Sequence, residues 1–162
     1  MSVVSTAETL SPSSRVWIYQ ADRPFDEEDL PRLRTQLRAF AEAWVSHNRQ
    51  LKAFGEVYHN RFVVLMVDES KAGASGCSID SSVHFLKRLG QEFGVDLFDR
   101  LRFSYLALDE VHTVDRNTFA ELYASGAIQD ETPVFDTLVD TREAFERSFL
   151  KPLKESWHFR LV

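Results

Sequence analysis

Six apolar residues run without a break over positions 62–67 (FVVLMV) and stop at Asp68 and Glu69. The run is rich in valine and reads as a strand; it falls far short of the ~20 residues that a bilayer crossing needs. LKAFGEVY precedes it, separated by His59 and Asn60, and asparagine tolerates the left-handed backbone that a tight hairpin demands. The two segments are expected as an antiparallel hairpin, and the rest of the chain must be arranged around it.

Upstream, RVWIYQ from Arg15 is dense in β-branched and aromatic residues and reads as a first strand, followed by turn residues and acids in ADRPFDEED. Pro31 marks the start of a helix in which Leu30, Leu33, Leu37, Phe40, Ala41, Trp44 and Val45 recur at spacings of three and four, before His47 and Asn48 end it. Downstream, Ile79, Val83, Leu86, Leu89 and Phe93 form a second stripe, with Gly90 or Gly94 placed to stop the helix. RFSYLAL then supplies a fourth strand. The order β-α-β-β-α-β predicts an α+β fold with a ferredoxin-like core over residues 15–108, two helices covering one face of an antiparallel sheet. In that arrangement the loops after the first and third strands are expected at the same end of the sheet, which brings Gln20, Asp22 and Arg23 toward Asp68, Glu69 and the loop 73–82.

Residues 1–14 are rich in Ser and Thr, carry Pro12, lack periodicity, and are expected as a flexible leader. Residues 109–162 are expected as a helix-strand-helix-strand elaboration of a single domain spanning 15–162. It comprises a helix near Arg116–Ala124 stopped by Gly126, a strand PVFDTLV, and a helix opened by Asp140, with Glu143 three residues on, and ended or kinked by Pro152. In the terminal SWHFRLV, Trp157, Phe159 and Leu161 alternate with His158 and Arg160, the period of a half-buried strand.

The formal charge of −6, from 19 Lys+Arg against 25 Asp+Glu, argues against nucleic acid as partner, because affinity for phosphate backbones comes from clustered cations. The single Cys77 cannot form an internal disulfide, which suits a reducing, cytoplasmic setting. The histidines at 47, 59, 84, 112 and 158 lack metal-ligand spacing, so no metal and no cofactor is expected.

The loop 73–82, GASGCSIDSS, is the strongest lead to a site. A glycine-bearing loop entering a helix aims unpaired N–H groups at one point, where the helix dipole also favours an anion. Ser75, Gly76, Cys77, Ser78 and Asp80, with Arg23, are the candidate ligand-binding set. Asp68, Glu69, His84, Trp157 and His158 are candidates for lining a pocket, Trp157 offering a stacking face. The same donors can be satisfied internally, Ser75, Cys77 or Ser78 capping the helix with Asp80 in its first turn, and capping is the commoner use of such residues. Cys77 or Ser78 as a nucleophile meets two objections. His84 lies seven residues on, about 10 Å along the axis, too far to take a proton directly. Asp80, one turn away, raises the pKa of a thiol and lowers its reactivity.

RVWIYQADRPF, FVVLMVDESKAGASGCSIDSSVHFL, FGVDLF and KESWH together resemble a family of small uncharacterised bacterial proteins, some of which are called ABC transporter ATPases. The resemblance implies no catalytic residue. FVVLMVDE does resemble a Walker B strand, but ATP hydrolysis in that superfamily also needs GxxxxGK[ST], and the chain contains no Gly-Lys pair. The expectation is therefore a binding domain for a small anionic ligand or a protein partner, and not an ATPase. The alternatives are an enzyme using 73–82 as an oxyanion or phosphate cradle, and a self-associating module, a possible homodimer, that buries an uncovered sheet face.

Overall fold

A computed structural model describes residues 9–162; the first eight residues of the expected leader lie outside the described residues. Residues 9–14 are not loose. Leu10 is buried, and the Ser11 amide donates to Asp68 Oδ2 at 3.0 Å.

The hairpin forms as its residues dictate: β4 (Lys52–Tyr58) and β5 (Phe62–Asp68) pair antiparallel, with His59 and Asn60 at φ 51° and 57° in the turn. The first strand, β1 (Arg15–Gln20), pairs antiparallel with the other side of β5, giving the order β1-β5-β4. The helix α1 (Leu30–Ala43) buries Leu30, Leu33, Leu37 and Ala41 as its stripe requires. It crosses β4 where Gly55 has no side chain; a Cβ there would stand 3.1 Å from the Leu37 carbonyl oxygen. His47 and Asn48 do not cap the helix. They form the turn of a short ribbon, β2 (Val45–Ser46) with β3 (Arg49–Gln50), and both have positive φ. The second helix, α2 (Gly76–Phe93), stops at Gly94, whose φ of 66° is open to glycine without a Cβ clash.

The departure from expectation is β6 (Arg102–Ala107), which does not join β1 as a fourth strand. It pairs with β7 (Glu110–Asp115) through Leu108 and Asp109, and with β8 (Pro133–Phe135), to which β9 (Leu150–Pro152) is added. The fold is thus α+β, with four helices and three antiparallel sheets among the described residues. Helix α3 (Arg116–Ala124) lies where the sequence places it, capped by Asp115. Helix α4 (Arg142–Ser148) is capped by Thr141, one residue after Asp140, because the Thr141 side chain accepts from the Ala144 amide. Pro152 lies beyond that helix, in β9. The terminal segment is not a strand: Trp157–Leu161 is a 3₁₀ helix capped by Ser156, with His158 buried and Phe159 and Arg160 both exposed, which breaks the expected alternation.

Every residue of β5 is buried, because both faces of its sheet are covered. Val63, Leu65 and Val67 meet the stripes of α1 and α2. Phe62, Val64 and Met66 meet Leu10, Phe135, Phe145 and Phe149. The C-terminal residues therefore occupy the sheet face on which self-association was expected. A third cluster, around Phe103, Phe119, Ile128, Val134 and Leu153, forms under the second large sheet. No helix is long and apolar enough to cross a membrane among the described residues.

Candidate functional site

At the start of α2 local capping engages the Ser75 and Ser78 amides, while those of Gly76 and Cys77 have no acceptor among the described residues. Ser75 Oγ accepts from the Ser78 amide at 3.2 Å, and Ser78 Oγ in return accepts from the Ser75 amide at 2.6 Å. Glu69 accepts from the Ala74 amide at 3.0 Å, and the Ser78 carbonyl receives the Trp44 indole N–H at 2.8 Å. Gly76, Cys77, Asp80 and His84 are exposed, and Asp80 and His84 form no ion pair with each other.

Arg23 is at the other pole. Its guanidinium donates to the carbonyls of Phe93 and Gly94 at 3.0 and 3.1 Å, capping the far end of a helix of 18 residues, about 27 Å from Ser75. The cause lies in strand direction: β1 and β5 are antiparallel, so the loops that follow them leave opposite ends of the sheet. Arg23 and the 73–82 loop do not form one site. Asp68 is buried and accepts from the Ser11 and Ser70 amides, both at 3.0 Å, with Lys52 Nζ at 3.7 Å. Burial pushes its carboxyl up, but these hydrogen bonds and Lys52 outweigh that and hold it below the usual carboxylate range. It is a fastener for residues 9–14 and does not line the cleft beside β1.

Of the expected set, Trp157 lines a cleft. The hollow has a volume of about 240 Å³ and lies beside β1, between residues 16–20, 97–103 and 137–140. Its walls carry Trp17, Tyr19, Phe98 and Trp157, with Arg100, Arg102, Asp99 and Asp140 among them. Tyr19 and Phe98 meet edge to face at 5.5 Å. Burial raises the Tyr19 phenol against the opposing pull of Arg100. Asp99 is neutralised by Arg102 at 3.0 Å, whereas Arg100 is exposed and has no ion pair among the described residues. No protein-family model, curated protein or solved structure matches this chain.

Behind the cleft a buried carboxylate fixes its shape. Asp136 accepts from Lys151 Nζ at 2.6 Å, from the Trp157 indole at 2.8 Å and from the Leu138 amide at 2.9 Å. Burial raises its carboxyl, but Lys151, Leu138 and Trp157 together hold it below the usual range. His158 stacks beneath Trp157 at 3.7 Å and bonds Ser156 through Nδ1 at 2.6 Å, so it backs the wall without reaching the opening. At the far end Gln20 donates to the Arg102 carbonyl at 2.9 Å and accepts from Ser104 Oγ at 2.7 Å. Sequence reasoning missed Tyr19, Phe98, Arg100, Leu138 and Asp140. The available signal was the pair of aromatics in RVWIYQ together with the two arginines of DRLR, but nothing in the sequence shows that β1 has an open edge facing them.

Proposed function

We propose that this protein is a binding domain whose small ligand, anionic at one end, sits in the cleft beside β1. The observation that carries the reading is the triple engagement of Asp136. A buried charge is costly unless fully paired, and here its bonds immobilise Lys151, the Leu138 loop and Trp157, of which the last two form cleft walls. Walls held this way are preorganised, which lowers the entropy lost on binding. The unpaired Arg100 supplies the charge for an anionic group. Binding is favoured over turnover because no Ser, Cys, His or Lys lines the cleft and one of its two carboxylates, Asp99, is engaged by Arg102.

A mixture of small acids and amides titrated into the full chain tests this by two-dimensional NMR. The Trp157 indole and the Tyr19 and Leu138 amides are expected to shift, with the buried Trp44 as internal control. Thr137→Phe, placed at the rim, should suppress the shifts while leaving the melting temperature in place. Shifts confined to Gly76, Cys77 and Ser78 would instead restore the helix-terminal cradle and overturn the cleft.

A further inference from the structure

We propose that the cleft binds a short free peptide of about three residues, aligned parallel to β1, with its ammonium end at Asp140 and its carboxylate end at Arg100. The inference rests on the cleft being the binding site and adds the class of ligand. Its first support is the backbone of β1. The Val16 amide donates away from β5, to the Asp140 carbonyl at 2.9 Å. Backbone groups alternate in direction along a strand paired on one side, so Ile18 turns its N–H and C=O the same way, into the cleft it lines. No described residue pairs with them. An open peptide unit on an edge strand is a template for one more strand.

The second support is that this edge is closed at both ends. Residues 140–142 strap the beginning of β1, with the Arg142 amide on the Ser14 carbonyl at 2.9 Å as well as the bond to Val16. Past its end, Gln20 holds the Arg102 carbonyl, and the Asp22 amide donates to the Asp96 carbonyl at 3.0 Å. The open stretch covers residues 17–19, roughly 10 Å at the rise of a strand. A through-running strand of a protein partner is blocked twice, whereas a chain that ends within the window fits.

The third support is charge. Arg100 precedes by two residues the carbonyl that Gln20 holds, which sets it at the Tyr19 end, and Asp140 sits at the Val16 end; neither has an ion pair among the described residues. A zwitterion therefore enters with its amino terminus at Asp140, running parallel to β1. In a parallel ladder one residue pairs with the two neighbours of the residue opposite. The Ile18 amide then donates to the carbonyl of the first ligand residue, and the Ile18 carbonyl accepts from the amide of the third. A dipeptide lacks that third amide.

Calorimetry and NMR with trialanine, dialanine, N-acetyl-trialanine-amide and a decapeptide carrying the same triplet internally test each element. Trialanine should bind and shift the Ile18 amide. Dialanine and the capped peptide should each bind at least about tenfold more weakly, and the internal triplet should not bind. Arg100→Gln and Asp140→Asn should each weaken trialanine about tenfold with the fold unchanged by circular dichroism. Equal binding of the capped or internal triplet overturns the inference. So does the absence of peptide binding up to about 10 mM. In that last case continued shifts of the cleft resonances by the small-molecule mixture leave the cleft standing as a site, and their absence removes both.

Discussion

His158 is 1% exposed, with its ring among Phe103, Phe119 and Trp157. Burial lowers its pKa from 6.5 to about 4, the nearby Asp136 raising it and Lys151 lowering it. A base with a depressed folded pKa binds its proton first in the unfolded chain, so stability falls with pH through this window. Unfolding free energy should drop by roughly 3 kcal/mol between pH 6.5 and 4, measured by urea titration. Asp136 acts in a separate window: its stabilisation is present above the unfolded value of 3.8 and is lost only as pH falls through its lower folded value. His158→Phe should therefore flatten the slope between pH 4 and 6.5 and leave the more acidic transition. An unchanged slope would remove His158 as its cause.

Among the elements, three hairpin turns, two of them with two-residue loops and the β4–β5 turn with a third loop residue, Arg61, share one backbone state. His47 with Asn48, His59 with Asn60, and Leu108 with Asp109 all have both residues at positive φ, the pattern of type I′ turns, the second closed by the Arg61 amide on the Tyr58 carbonyl at 3.1 Å. Asn60 made the second legible in the sequence. The first looked like a helix end because it follows an amphipathic stripe directly, and the third carried no signal, since a leucine is a poor choice at φ 53°. Leu108 is also 97% exposed, so no packing offsets the strain. Leu108→Asn should therefore stabilise the protein by about 1 kcal/mol, read as a raised melting temperature. A lowered one would show that the side chain has a partner. The helices were legible because their stripes face a core directly, whereas the terminal segment misled because only Trp157 and Leu161 of its three alternating apolar residues pack on the cluster of Phe103 and Phe119, while Phe159 is exposed in a 3₁₀ turn.

At the scale of the whole molecule, local pattern gave the hairpin and its helices, but strand order and direction depend on long-range pairing. RFSYLAL has the composition of a fourth strand for either sheet, and only the Tyr105 to Val134 pairing with β8 assigns it to the second. The candidate site was misplaced for the same reason, because the partner of β1 runs antiparallel to it and so sends Arg23 away from Cys77. The cleft lies between β1 and segments some 80 to 140 residues later in the chain, so no local window contains it. The same long-range construction makes the three clusters interdependent. Phe62 of β5 packs against Phe135 at 4.9 Å and Phe149 at 5.0 Å, and Gln20 and Arg61 reach Ser104 and Thr113 across the two large sheets. Phe149→Ala should therefore cost about 3–5 kcal/mol and destabilise the molecule as one unit. The indole resonances of Trp17, Trp44 and Trp157 report on the two sides of that junction, and in urea all three should disappear at one lowered midpoint. A transition in which Trp157 is lost first, with Trp17 and Trp44 unmoved, would show that the second sheet folds separately, and a cleft walled by both halves would then not be rigid.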